Sequence, residues 1–183
     1  DGFQDNTIFK DLSILCFNEK QFIGNGLVIP SGPLREPLDS LKNAQLIFIN
    51  GEKNLNFERK ILSYNSSIIF YYFKYELLNK ELFFKDKYIA FAGIGNPLNF
   101  FNILEENKIK ILKTFAFRDH YKLDTFEIDK MLDIAKEYNA KLLTTEKDHH
   151  RLLEKYKEKV NYIKIKVNIE NQDSFINYLK KVL

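Results

Sequence analysis

The sequence predicts an α/β fold, a mostly parallel sheet flanked by helices. Two observations carry this. From about residue 84 onward, short apolar runs and helical patterns alternate as β-α-β-α-β-α-β-α. Crossover connections of that kind place strands parallel, with helices on both faces of the sheet. The earlier residues differ: they read as strands and Gly/Pro turns with little helix. The expected division is 1–83 and 84–183, although no Ser/Gly-rich linker marks the boundary.

Each element has its own signal. "DLSILCFN" (11–18) and "AQLIFIN" (44–50) read as strands, with "LDSLKN" between them as a short helix or turn. "SSIIFYYFKYEL" (66–77) is β-branched and aromatic, the composition of a third strand. "KYIAFAGIGNP" (87–97) is a strand running into a Gly turn. Pro97 then takes the first position of a helix, Asn96 caps it, and "LNFFNILEEN" continues it. "KIKILKTFAF" (108–117) is the next strand. Asp124 and Glu127 have capping-box spacing ahead of a helix in which Phe126, Met131, Ile134 and Ala135 recur at helical intervals. "AKLLTTEKD" (140–148) reads as a strand and "HHRLLEKYKE" as a helix. "VNYIKIKVNI" (160–169) alternates like a strand, and "QDSFINYLKKVL" closes as an amphipathic helix.

Composition narrows the classes. With 45% hydrophobic and 29% charged residues the chain supports a packed core and excludes disorder. The 28 Lys and Arg are scattered among 25 Asp and Glu, so a net charge of +3 argues for no nucleic-acid partner. Cys16 is the single cysteine, which excludes an internal disulfide and fits a reducing cytoplasm. Its apolar setting, "LSILCFN", reads as that of a buried structural thiol. No apolar run reaches the ~18 residues of a membrane span.

Four stretches are candidates for chemistry. "GNGLVIPSGPLREPLDSL" (24–41) sets three Gly and three Pro within 14 residues around Arg35 and Glu36. It is either a surface turn whose two charges pair, or a rigid loop whose Arg addresses a phosphate and whose Glu addresses a metal or hydroxyl. "FAFRDHYKLD" (115–124) places Arg118, Asp119 and His120 directly after a strand, where ligands gather in open α/β sheets. His120 is either an exposed loop residue or a proton-transfer group. Adjacent residues of an extended stretch point apart, so the carboxylate partner of His120 is expected from elsewhere in the fold and not from Asp119. In "LLTTEKDHH" (142–150), Thr and Asp suit the cap of the following helix, and adjacent His149 and His150 lack metal-pair spacing. "GIGNP" (93–97) lacks the third Gly of a dinucleotide fingerprint and reads as a tight strand-to-helix turn. A Walker A pattern, G-x-x-x-x-G-K-[ST], does not occur in these residues.

Taken together, "DGFQ", "GNGLVIPSGPLREPLDSLKNAQLIFING", "FAGIGNPLNFF", "FRDHY" and "LLTTEKD" resemble, in order and spacing, the tetraacyldisaccharide 4'-kinases. These are the lipid A 4'-kinases of Gram-negative bacteria. The resemblance runs from residue 1 to about residue 155. It implies a P-loop kinase-like fold: the tail of the catalytic domain over 1–83, then a Rossmann-like C-terminal domain over 84–183. It also implies transfer of the ATP γ-phosphate, with Mg²⁺, to the 4'-hydroxyl of a lipid-linked glucosamine disaccharide 1-phosphate, giving lipid IVA. In that family the ATP-binding P-loop and a membrane-anchoring helix lie upstream. The chain is therefore expected to be the C-terminal part of a longer enzyme, inactive by itself, acting at a membrane surface on the cytoplasmic face of the inner membrane.

The same resemblance assigns roles residue by residue. Asp1 is implied to be the second acidic residue of a Walker B-like pair facing Mg²⁺, and Gln4 to touch substrate. Asp5 stands where the family usually has His. Arg35 is implied at a phosphate, and Glu36 near the metal or the disaccharide. His120, beside Asp119, is implied to activate the sugar hydroxyl together with an upstream Asp. The alternatives are a non-catalytic α/β module binding a phosphorylated glycolipid or nucleotide, and a nucleotide-sugar enzyme using "GIGNP".

Overall fold

The computed structural model describes residues 2–5 and 7–182. Asp1 lies outside the described residues. The chain forms two compact units, Asp1–Tyr75 with Val167–Leu183, and Glu76–Lys166. The C-terminal segment thus groups with the beginning of the chain, whereas the sequence placed it in the second domain.

In the first unit, β1 (Ile14–Asn18), β2 (Leu46–Asn50) and β3 (Ile69–Leu78) pair in parallel in the order β1-β2-β3. β2 is buried on both faces. Ile47 and Ile49 pack with Ile23, Leu41, Phe57 and Ile61, while Leu46 and Phe48 pack with Tyr71 and Phe73. The first group draws on α1 (Leu55–Leu62), a helix the sequence did not announce. Only Phe57 and Ile61, four residues apart, are buried in it, too little apolar periodicity to register. Asn54 caps it, accepting the Phe57 N–H at 3.0 Å.

The second unit holds β4 (Lys87–Ala92), α2 (Pro97–Glu106), β5 (Lys110–Ala116), α3 (Thr125–Glu137), β6 (Lys141–Thr145), α4 (Glu146–Arg151) and α5 (Glu154–Lys157). β7 (Val160–Ile169) then leads back to the first unit, where α6 (Gln172–Val182) ends the chain. The strands of the second unit run parallel in the order β7-β6-β4-β5. Alternate residues of β4 serve opposite faces. Tyr88, Ala90 and Ala92 pack with Phe100 and Leu104 of α2, whereas Ile89 and Phe91 pack with Ile128, Met131 and Ala135 of α3. That is the two-faced parallel sheet expected from the β-α alternation. In the first unit, Phe175 and Tyr178 of α6 pack on the Leu46, Phe48, Tyr71 and Phe73 cluster, which explains why this helix belongs there.

The predicted caps form. Asn96 accepts the Asn99 N–H at 3.2 Å with Pro97 at the helix start. Asp124 and Glu127 close a reciprocal capping box. Three expectations fail. The strand read over 140–148 ends at Thr145, and Glu146, Lys147 and Asp148 open α4. "HHRLLEKYKE" is not one helix: Leu152 and Leu153 are extended between α4 and α5, and Leu152 turns into the α3-side core. Cys16 is exposed, not buried. Leu15 and Phe17 face the core, so the period-2 alternation of β1 turns Cys16 away from it.

Candidate functional site

In the first unit the loop after β1 folds on itself. Asn25 Oδ1 accepts the Leu27 N–H at 3.1 Å, and Asn25 Nδ2 donates to the Ser31 carbonyl at 2.8 Å. Ile29 N–H donates to the Leu34 carbonyl at 2.8 Å, and Leu34 N–H to the Leu27 carbonyl at 3.1 Å. Gly32 sits where these strands of loop close: a Cβ there would collide with Asn25 Oδ1 and the Leu27 carbonyl. The loop therefore arrives at Arg35 and Glu36 with little backbone freedom.

That rigidity serves a cavity of about 280 Å³ lined by Gln4, Asn18, Gln21, Arg35 and Glu36 over an apolar floor that includes Phe17 and Leu38. Gln4, Arg35 and Glu36 thus line one cavity. Arg35 is exposed, whereas Gln4 and Glu36 are half-buried. A cation, a carboxylate and amides around one apolar-floored hollow can address a phosphorylated, hydroxyl-rich ligand. Sequence reasoning missed Asn18 and Gln21. Their signal was position, since Asn18 is the last residue of β1 and strand C-termini gather ligands. The expected metal ligand Asp1 lies outside the described residues. Among the described residues no group of three or more His, Cys, Asp or Glu forms a metal cage. Glu36 is one carboxylate at the cavity, and Mg²⁺ takes one or two carboxylates with phosphate oxygens and water, so the donor chemistry fits.

In the second unit three motifs meet. The buried Asp148 carboxylate accepts the Gly93 N–H at 2.9 Å and the Thr145 hydroxyl at 2.8 Å through Oδ2. Thr145 in turn caps α4, accepting the Asp148 N–H at 3.1 Å. This satisfies the capping reading of "TTEKD" and ties it to the "GIGNP" turn. Arg151 Nη1 lies 3.5 Å from Asp148 Oδ1, and its Nη2 lies 3.2 Å from His120 Nδ1.

The "FRDHY" loop is fixed from both ends. Tyr121 stacks on Phe117 with ring centroids 5.3 Å apart, and its hydroxyl donates to Glu127 at 2.7 Å. His120 has a left-handed backbone (φ 60°) and a side chain 74% exposed. Its Nε2 is 3.8 Å from Asp119 Oδ2, an ion-pair distance too long for a hydrogen bond. Lys147 Nζ sits 3.6 Å from Asp119 Oδ1. A contact that the sequence did not single out is that of His120 with Arg151, a cation and not the carboxylate partner expected for it. Lys147 and Arg151 are four residues apart on α4, the spacing that puts both on the face toward residues 119–120.

The family model for tetraacyldisaccharide-1-P 4'-kinase (LpxK) matches residues 1–183, the whole chain. The chain belongs to the tetraacyldisaccharide-1-P 4'-kinase family. A member from Pelagibacter ubique, named tetraacyldisaccharide 4'-kinase, is 40% identical over 185 residues, covering 100% of this chain and 59% of that protein. One from Rickettsia felis is 36% identical over 152 residues, covering 81% of this chain and 46% of its own length. A crystal structure described as the "apo" form of LpxK from Aquifex aeolicus in complex with ATP superposes with a TM-score of 0.68 at 25% identity. It covers 100% of this chain and 56% of that one. The chain spans about half the length of the family members it matches. No helix among the described residues is long and apolar enough to cross a membrane.

Proposed function

We propose that this chain is the C-terminal part of an ATP-dependent lipid kinase. It phosphorylates the 4'-hydroxyl of tetraacyldisaccharide 1-phosphate, and the product is lipid IVA. The carrying observation is the family match over residues 1–183, and it is supported by Gln4, Arg35 and Glu36 lining one cavity.

Phosphoryl transfer asks the protein mainly to position reactants and neutralise charge. In this reading Arg35 holds a phosphate through its forked donors, and Gln4 orients the disaccharide. Glu36 and Asp1 would hold Mg²⁺, which supplies charge neutralisation at the transferring phosphoryl group. His120 takes part in activating the sugar hydroxyl together with an upstream Asp, which takes the proton, and Asp119 lies beside it. In this reading ATP is held outside residues 1–183, which contain no G-x-x-x-x-G-K-[ST]. The 183-residue chain alone is therefore expected to transfer no phosphate. The working surface is the cytoplasmic face of the inner membrane, where the lipid substrate resides.

The test is an assay of γ-phosphate transfer from ATP to tetraacyldisaccharide 1-phosphate by the longer protein that contains this chain. Mg²⁺-dependent transfer to the 4' position supports the proposal. Glycolipid binding without transfer would favour a non-catalytic module instead. Transfer by the isolated chain would overturn the division of labour.

A further inference from the structure

The "TTEKD" helix ends in Arg151, whose guanidinium reaches two side chains besides the Gly93 carbonyl. One is the buried carboxylate of Asp148, at 3.5 Å. The other is His120 Nδ1, at 3.2 Å. A guanidinium has donors only and keeps its protons, so Nδ1 must offer its lone pair. A neutral imidazole with Nδ1 accepting carries its proton on Nε2. We infer that Arg151 is a positioning residue for His120, selecting the Nε2–H tautomer so that the ring presents an N–H donor at its Nε2 edge.

The scaffold behind Arg151 is built for this. Asp148 is fixed by the Gly93 amide and the Thr145 hydroxyl, with its side chain only 5% exposed. Arg151 Nη1 also points at the Gly93 carbonyl, 3.5 Å away. Orientation therefore passes from a buried carboxylate through one rigid planar fork to an otherwise solvent-exposed ring. His120 has a left-handed backbone, and its ring meets α4 through Arg151. On the opposite edge, Nε2 lies 3.8 Å from Asp119, itself held by Lys147. Which tautomer a histidine adopts is set by the hydrogen bond its other nitrogen makes. Here that bond comes from Arg151.

The inference rests on the proposed role of His120 in the reaction only for its catalytic consequence. Two measurements separate the two. First, imidazole ¹⁵N spectra of the 183-residue chain should show His120 as the Nε2–H tautomer. Arg151→Gln should give a mixture of tautomers, and Arg151→Lys, which still only donates, should retain the single form. A wild-type ring protonated on Nδ1, or a spectrum unchanged in Arg151→Gln, would overturn the inference. Second, in the longer enzyme Arg151→Gln should lower kcat roughly tenfold with KM for ATP unchanged. Placed on a His120→Ala background, it should cost nothing more. An equal loss on both backgrounds would show that Arg151 does not act through His120. Full activity of His120→Ala alone would refute the role of His120 in the reaction, while the spectra would still decide what Arg151 does.

Discussion

Gly93 and Asp148, 55 residues apart, are joined by a 2.9 Å hydrogen bond from the Gly93 amide to the buried carboxylate. This bond ties the turn after β4 to the start of α4. Through Arg151 it extends to His120. A single acceptor thus coordinates the three motifs that the sequence shows as separate.

Removing that acceptor should be costly. Asp148→Ala leaves the Gly93 N–H and the Thr145 hydroxyl without their partner in a buried place, and strips Arg151 of its counter-charge. The expected destabilisation is about 2–4 kcal/mol. Urea unfolding of the chain measures it. A midpoint equal to wild type would show that the network carries no stability.

Gly32→Ala acts through shape. Its Cβ meets the Leu27 carbonyl, which is backbone and cannot swing aside. The loop must open, at a cost of about 1–3 kcal/mol. Because Arg35 and Glu36 follow directly, binding of the phosphorylated disaccharide should weaken together with stability. Calorimetric titration of the longer protein reads the first effect, and thermal unfolding the second.

His120→Ala in the longer enzyme should lower turnover strongly and leave ATP binding nearly unchanged. Steady-state kinetics with the lipid acceptor provides the check. Turnover within about threefold of wild type, under ~1 kcal/mol of transition-state energy, would refute the assignment.

Alkaline stability should depend on Tyr88. Burial, with the Asp86 carboxylate adding to it, pushes its phenol up to about 12. The folded value exceeds the unfolded one of about 10, so folding favours the neutral phenol. That contribution is whole below pH ~10 and is lost as pH rises toward 12, by up to ~1.4 kcal/mol per pH unit. Tyr72, whose hydroxyl donates to Glu58 at 2.6 Å, is shifted in the same direction. Tyr88→Phe should flatten part of the decline in denaturant midpoint as pH rises from about 10 toward 12. An unchanged slope would place the effect elsewhere.

Local signals were legible. In the Asn96–Pro97 helix start and in the Asp124–Glu127 capping box, each bonded pair is three residues apart, and these short-range hydrogen bonds fix both. The helix α1 was not legible, because two buried residues in eight make no stripe. Cys16 was misread because an apolar run around a thiol does not tell which face of a strand it takes. At the candidate sites, the motif residues Gln4, Arg35, Glu36, Asp119 and His120 were all named from the sequence.

The sequence by itself determined the family, the parallel α/β architecture of the second unit and the residue types available for phosphoryl chemistry. These follow from local periodicity, caps and motif spacing. Tertiary structure alone decided that Gln4 and Arg35 line one cavity, that α6 packs with the first unit, and that His120 pairs with Arg151. The reason is geometric. A hydrogen bond across 31 residues depends on how three loops converge at the ends of parallel strands, and no short-range pattern encodes that convergence.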